Sequence, residues 1–429
     1  MRKRLIGLLT VYLLLSPTLS GCWDYVEYED LAQITALGSD YNPQTNEITI
    51  TIQYPSIKRT KSGGAGGAET GAPEWVVHSA TGQNTFDAMS KLQEIVPQRL
   101  FYGYIKVFIV GEEMARYKLW DLFALVDRTP VMRSSAYIAV AEGTAEYAIK
   151  TIDPSQLSAG DKIHKLIQLI PESGSASAVT MNELLEDLAI GGLEPSIPLI
   201  SIEATTDNLS GKTGQKQSGE GKKDEKAQEP QGKQATTDPH KEHPGTLRIG
   251  GMAAFHGDKL VGRLDDRESR GVNFIRGKKI HAYKVSEAAG ETAVDQLYFR
   301  ILESKSAIKV RLENGRPTVA VTIGVKADLR KYYGHEGADF LFGEALDHIE
   351  EKLAESVRGD VEAALKRGQG ELRTDIFGFG FALYRKYPRA WKEEFLEQWR
   401  DIFPDIPVTV QINAKVVNVG ITTRKLYIK

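Results

Sequence analysis

The sequence predicts an α+β protein: a multi-domain, mixed α/β chain with antiparallel-rich sheets in both halves, joined by a disordered linker. Three observations carry this. Strand-length stretches with period-two alternation, such as EITITIQY (47–54) and the run at 295–329, occur on both sides of the midpoint. Helical segments with an apolar stripe at 3.6-residue spacing are mixed among the strands. Residues 206–246 contain one large aliphatic residue, Leu209, and no aromatic, so they cannot bury enough surface to offset chain entropy.

The first element is a leader. Arg2, Lys3 and Arg4 precede an apolar run from Leu5 to Leu15, which Ser16-Pro17-Thr18 ends. This is the layout of an export signal, and the run is shorter than the roughly 20 residues that span a bilayer. Leu19-Ser20-Gly21-Cys22 has the form of a lipobox, and Cys22 is the only cysteine of the 429 residues. A lone thiol can form neither an internal disulfide nor a multi-cysteine metal site. It can be alkylated by a diacylglyceryl group, and two acyl chains hold a protein durably to a membrane. Cys22 is therefore the expected lipid attachment site, with residues 1–21 the signal peptide.

In the body, ITALGSD (34–40), EITITIQY and EWVVHSAT (74–81) read as strands, with KSGGAGGAETGAP (61–73) a loop between the last two. Asn84 or Thr85 caps a helix whose apolar positions are Phe86, Met89, Leu92 and Val96. YIKVFIVGE (104–112) is nearly all apolar and suits the centre of a sheet. Helices are expected over 112–126, 144–151, 156–169 and 180–190, with a strand at 136–142 and an extended segment at 195–204. Beyond the linker, residues 252–264 form a hairpin turning at Gly257-Asp258, and residues 295–329 alternate as strands around Asn314-Gly315. Helix 343–367 sets Leu346, Ile349, Leu353, Val357 and Val361 against an acidic, solvated face. Residues 408–420 return as a strand. The resulting domains are 22–205, the linker 206–246, and 247–429, the last with room for two subdomains.

The block TDIFGFGFALYRKYPRAWKEEFLEQWRDIFP (374–404) predicts two helices. Thr374 or Asp375 caps the first, Gly378 and Ala382 make one side thin enough for close packing, and Pro388 separates the pair. Trp391, Phe395, Trp399 and Ile402 line one face of the second helix and are expected to enter the core.

Function classes narrow by exclusion. Lys+Arg 54 against Asp+Glu 57 gives a net charge of −3, without the basic field of a nucleic-acid binder. There is no G-x-S-x-G, H-E-x-x-H, P-loop or dinucleotide fingerprint. His240 and His243 have metal-like spacing but fall in the linker, where nothing preorganises ligands. No catalytic residue, cofactor or metal is expected.

Gly21-Cys22-Trp23-Asp24, Gly38-x-Asp40, FYGYIKVFIVGEEMAR (101–116) and DIFGFGFALYRKYPRAW (375–391), in this order, resemble the Ger(x)C, or GerAC-like, lipoproteins of spore germination. The resemblance implies a non-catalytic C subunit of a nutrient germinant receptor, tied by Cys22 to the outer face of the spore inner membrane. It also implies two integral membrane partners, an A-type subunit and a permease-like B-type subunit. The alternative is a transporter's substrate-binding lipoprotein, which would show two related α/β lobes.

Overall fold

A computed structural model describes residues 26–56, 74–152, 157–189, 191–203, 245–287, 296–332 and 344–418, besides the isolated positions 2 and 7. Cys22 and His240 and His243 lie outside the described residues.

The described first half runs β1 (Leu31–Gln33), β2 (Ala36–Asn42), β3 (Glu47–Ser56), β4 (Glu74–Gly82), α1 (Thr85–Ile95) and β5 (Arg99–Phe101). It continues with β6 (Val107–Gly111), α2 (Glu112–Tyr117), α3 (Leu119–Arg128), β7 (Tyr137–Ala141), α4 (Ala145–Lys150), α5 (Ala159–Gln168), α6 (Met181–Ala189) and β8 (Ser196–Glu203). After the linker come β9 (Thr246–His256), β10 (Lys259–Leu264), α7 (Asp266–Arg276), β11 (Tyr283–Glu287), β12 (Gln296–Glu313), β13 (Arg316–Tyr332), α8 (Glu344–Leu365), α9 (Phe379–Lys386) and β14 (Val408–Asn418).

Eight strands form one sheet in the order β10-β9-β8-β7-β6-β2-β3-β4. Its outer pairs are antiparallel, while β2, β6, β7 and β8 run parallel to one another. The apolar run of β6 occupies its middle, as the composition requires. Val107 and Ile109 face one core, and Phe108 and Val110 face the other. Leu92 of α1, Met114 of α2 and Leu122 of α3 fill the second core; Ile149 of α4 and Ile163 and Ile167 of α5 fill the first.

The expected helix 112–126 is two helices. Lys118 leaves helical geometry at φ −138° and ψ 20°, which lets both Met114 and Leu119 turn fully inward. The Gly257 hairpin closes as expected, with Gly257 at φ +60°. Its first strand, β9, hydrogen-bonds onto β8 and β10 pairs outside β9, so the hairpin extends the sheet built before the linker.

The second sheet is β11-β12-β13-β14. β12 and β13 form a long hairpin through Asn314 and Gly315, both at positive φ, the geometry that suits a two-residue turn to strand twist. β14 pairs parallel with β13. Helix α8 lays Ile349, Leu353, Val357 and Val361 on the core, the stripe its periodicity predicts. One continuous cluster of buried residues runs from the first core of the large sheet into this second sheet.

Candidate functional site

Two buried carboxylates organise the pieces of sequence that stand out most. Asp40 ends the Gly38-x-Asp40 stretch on β2. Its Oδ1 accepts from the Ala145 N–H at 2.7 Å and its Oδ2 from the Glu146 N–H at 2.9 Å, so it receives the first turn of α4. Burial pushes its carboxyl up to about 6, against the pull of those two N–H groups. Glycines make room for it. A Cβ on Gly111 would overlap Asp40 Oδ1, and one on Gly38 would stand 2.9 Å from Ile149 Cδ1 and 3.1 Å from Ala145 Cβ.

Asp375 is the second and deeper hub. It caps α9 from outside the helix: Oδ1 accepts from the N–H groups of Gly378 (2.9 Å) and Phe379 (3.1 Å), and Oδ2 from that of Gly380 (2.7 Å). The indole N–H of Trp399 adds a fourth donor at 2.9 Å. Burial still dominates and raises this carboxyl to about 6.

Around Asp375 the aromatic block packs as core. Trp391 and Trp399 are buried and meet edge to face at 5.2 Å, and Phe377, Phe379 and Phe403 join them. The backbone beneath is not one regular helix. Residues 391–395 form a π turn in which Leu396 N–H donates to the Trp391 carbonyl, and α-helical hydrogen bonding resumes at Trp399. The expected inward face of Trp391, Phe395 and Trp399 survives this irregularity, with Ile402 at its partly buried rim.

Gly378 corrects the sequence reading. It sits at φ +83° as the residue before α9, and a Cβ there would meet only Leu193 Cδ1 at 3.4 Å. The close-packed glycine is Gly380, where a Cβ would stand 2.7 Å from the Trp399 ring and 2.8 Å from Gly192 Cα. Sequence spacing cannot separate a glycine needed for its dihedral from one needed for its missing side chain.

The block also clamps earlier chain. Phe381 N–H donates to the Gly192 carbonyl, Glu194 N–H donates to the Asp375 carbonyl, and the Thr374 hydroxyl donates to the Phe255 carbonyl at 2.6 Å. Residues on either side of the linker are thus locked together through Asp375.

An open cleft of about 820 Å³ lies where β10 meets the start of α7, lined in part by Glu142, Arg248, Arg263, Asp266, Arg270 and Arg367. Glu112 and Glu142 directly follow the parallel strands β6 and β7, and such carboxyl ends are where open α/β sheets hold ligands. Here the charges are already matched. Arg263 joins Glu112 and Glu142, Arg248 joins Asp266 and Glu203, and Arg367 joins Glu371. Burial works against the Glu112 carboxylate, but Arg116 and Arg263 overcome it and hold it below its ordinary range.

Asp360, which sequence reading missed, pairs with Arg267 and Arg270 where α8 crosses α7 at Gly271. The signal was present: Asp360 falls on the apolar stripe between Val357 and Val361. Among the described residues no group of three or more His, Cys, Asp and Glu could hold a metal ion.

Comparison with known proteins accounts for the order of these pieces. The family model described as "Spore germination protein N-terminal domain" matches residues 24–202, and "Spore germination B3/GerAC like, C-terminal" matches residues 250–420. The chain belongs to the GerAC-like family of spore germination proteins. Two relatives of this GerAC-like protein come from Bacillus subtilis. Spore germination protein KC is 27% identical over 424 residues, covering 96% of each chain. Spore germination protein B3 is 22% identical over 407 residues, covering 94% of this chain and 95% of the relative. The crystal structure of the GerBC protein shares the fold with a TM-score of 0.50 and 17% identity, over 89% of this chain and 97% of that one. Nothing in these matches supports the transporter alternative, and the two sheets do not repeat one topology.

Proposed function

We propose that the chain is the lipid-anchored, non-catalytic C-type subunit of a spore nutrient germinant receptor. Cys22 tethers it to the outer face of the spore inner membrane, where it assembles with an A-type integral subunit and a permease-like B-type subunit. The observation that carries this is the end-to-end match to Spore germination protein KC, together with both family domains in order. The two carboxylate hubs fit a scaffold: their oxygens are committed to holding helix starts, and the arginines of the cleft are committed to ion pairs. Among the described residues no helix is long and apolar enough to cross a membrane.

The test is purification of the tagged protein from detergent-solubilised spore inner membranes. Two integral membrane proteins should co-purify with it, and deleting its gene should abolish the response to one set of nutrients. Recovery of the protein alone, with germination unchanged by its deletion, would contradict the proposal.

A further inference from the structure

We infer that the end of the first sheet bearing Tyr28, Tyr104 and Val131 rests on the bilayer surface; the inference depends on the Cys22 anchor proposed above. The reach of the tether sets the geometry. Val26, where the described body begins, is four residue steps beyond Cys22, and a fully extended chain advances about 3.3–3.6 Å per residue, or about 14 Å in all. An acylated Cys22 sits at headgroup depth, so the end of the body that receives this tether cannot stand far from the membrane.

That end is well defined. Tyr28 leads into β1, and its hydroxyl donates to Gln33 at 3.1 Å. β1 pairs with β5 through Gln33 and Phe101, and the turn that follows β5 carries Gly103, where a Cβ would lie 3.3 Å from Val131. Lys106 N–H donates to the Thr35 carbonyl and Tyr137 N–H to the Lys106 carbonyl, so this whole cluster sits at the amino ends of β2, β6 and β7. The charged cleft with Glu112 and Glu142 is at the opposite, carboxyl ends.

The exposed chemistry suits a lipid interface. Tyr28, Tyr104 and Val131 are 66%, 46% and 50% exposed, so large apolar side chains face outward at this end. Tyrosine places an apolar ring and a polar hydroxyl at the depth where acyl chains give way to headgroups. Arg99 and Arg133 are exposed beside them and can reach lipid phosphates. Glu27, Glu29 and Asp30 beside Tyr28, and Glu94 and Asp127, are also exposed at this end, so net basic charge does not drive the contact. Docking therefore depends on aromatic and aliphatic contact, and raising the salt concentration should not weaken it.

The test uses the full chain, acylated at Cys22, in vesicles of phosphatidylcholine and phosphatidylglycerol. Because Cys22 is the only cysteine, Tyr104→Cys, Val131→Cys and the control Tyr147→Cys each add one free thiol for an environment-sensitive fluorophore. Tyr147 is 54% exposed on α4, beyond the carboxyl end of β7. Brominated lipids should quench the probes at 104 and 131 at least threefold more than the probe at 147. Amide exchange of residues 102–106 and 129–134 in the unlabelled protein should slow on vesicles to match. Failure of the protein to float with the vesicles would overturn the anchor and the docking together. Flotation with equal quenching at all three sites, and unchanged exchange, would overturn the docking alone. Protection that requires the integral subunits would assign this face to a protein partner and overturn the bilayer contact.

Discussion

Replacing Trp399 by Phe tests whether Asp375 is an ionised hub held by its donors. The substitution keeps an aromatic ring against Trp391 but removes the one side-chain donor among the four that Asp375 accepts. A hydrogen bond to a charged group contributes about 1.5–3 kcal/mol, and one between neutral groups about 0.5–1.5 kcal/mol. Burial raises the folded-state pKa of Asp375 to about 6 from an ordinary 3.8. The folded protein therefore binds the proton more tightly than the unfolded chain, and this group's contribution to stability falls as pH rises from about 4 to 6. A shift of about two units corresponds to about 3 kcal/mol. Losing the indole donor raises that pKa further. The variant should thus lose about 1.5–3 kcal/mol at pH 7.5 through the missing bond, and about 1 kcal/mol less than that at pH 5, where wild-type Asp375 is mostly protonated. The loss from the smaller ring is the same at both pH values and drops out of the difference. Urea unfolding followed by far-ultraviolet circular dichroism, for both proteins at both pH values, measures it. Equal losses at the two pH values, or a larger loss at pH 5, would refute the ionised hub.

Four further outcomes follow from the packing around the two hubs. Trp391→Ala should lower stability by about 3–5 kcal/mol in the isolated protein, as truncation of a buried aromatic does, visible as a large fall in melting temperature. Gly378→Asn should lower it by less than about 1 kcal/mol, because asparagine tolerates positive φ. Gly380→Ala should lose about 1–3 kcal/mol, because its Cβ meets the Trp399 ring and the Gly192 backbone; the reverse order in a thermal melt would contradict these assignments. Gly111→Ala should displace the Asp40 carboxylate and loosen α4, read as faster amide exchange at Ala145 and Glu146; unchanged exchange there would contradict the Asp40 cap.

Much of the fold was legible because local patterns and tertiary burial agree. The alternation of β3, the two-faced apolar run of β6 and the stripe of α8 each name the surfaces that end up covered. What was not legible depends on distant partners. Nothing in MAAFHGDKLVGRL says that its hairpin adds to a sheet formed before the linker, because backbone pairing carries no sequence label. The break at Lys118 shows in the periodicity only once Met114 and Leu119 are both known to be buried, since they are five apart and fit no single helical face, and no Gly or Pro marks the interruption. Asp375 is recognisable as a capping residue type, but its reach to Gly378, Phe379 and Gly380 depends on Gly378 adopting positive φ. Trp399 as its fourth donor comes from 24 residues further along, past the π turn.

The anchor at Cys22 is the central claim, and the mass of the mature amino-terminal peptide tests it most directly. Protein recovered from spore membranes, digested and analysed by mass spectrometry, should yield a peptide beginning at Cys22 and carrying a diacylglyceryl group on its sulfur. A peptide that begins at another residue, or a Cys22 with a free thiol in membrane-derived protein, would contradict it.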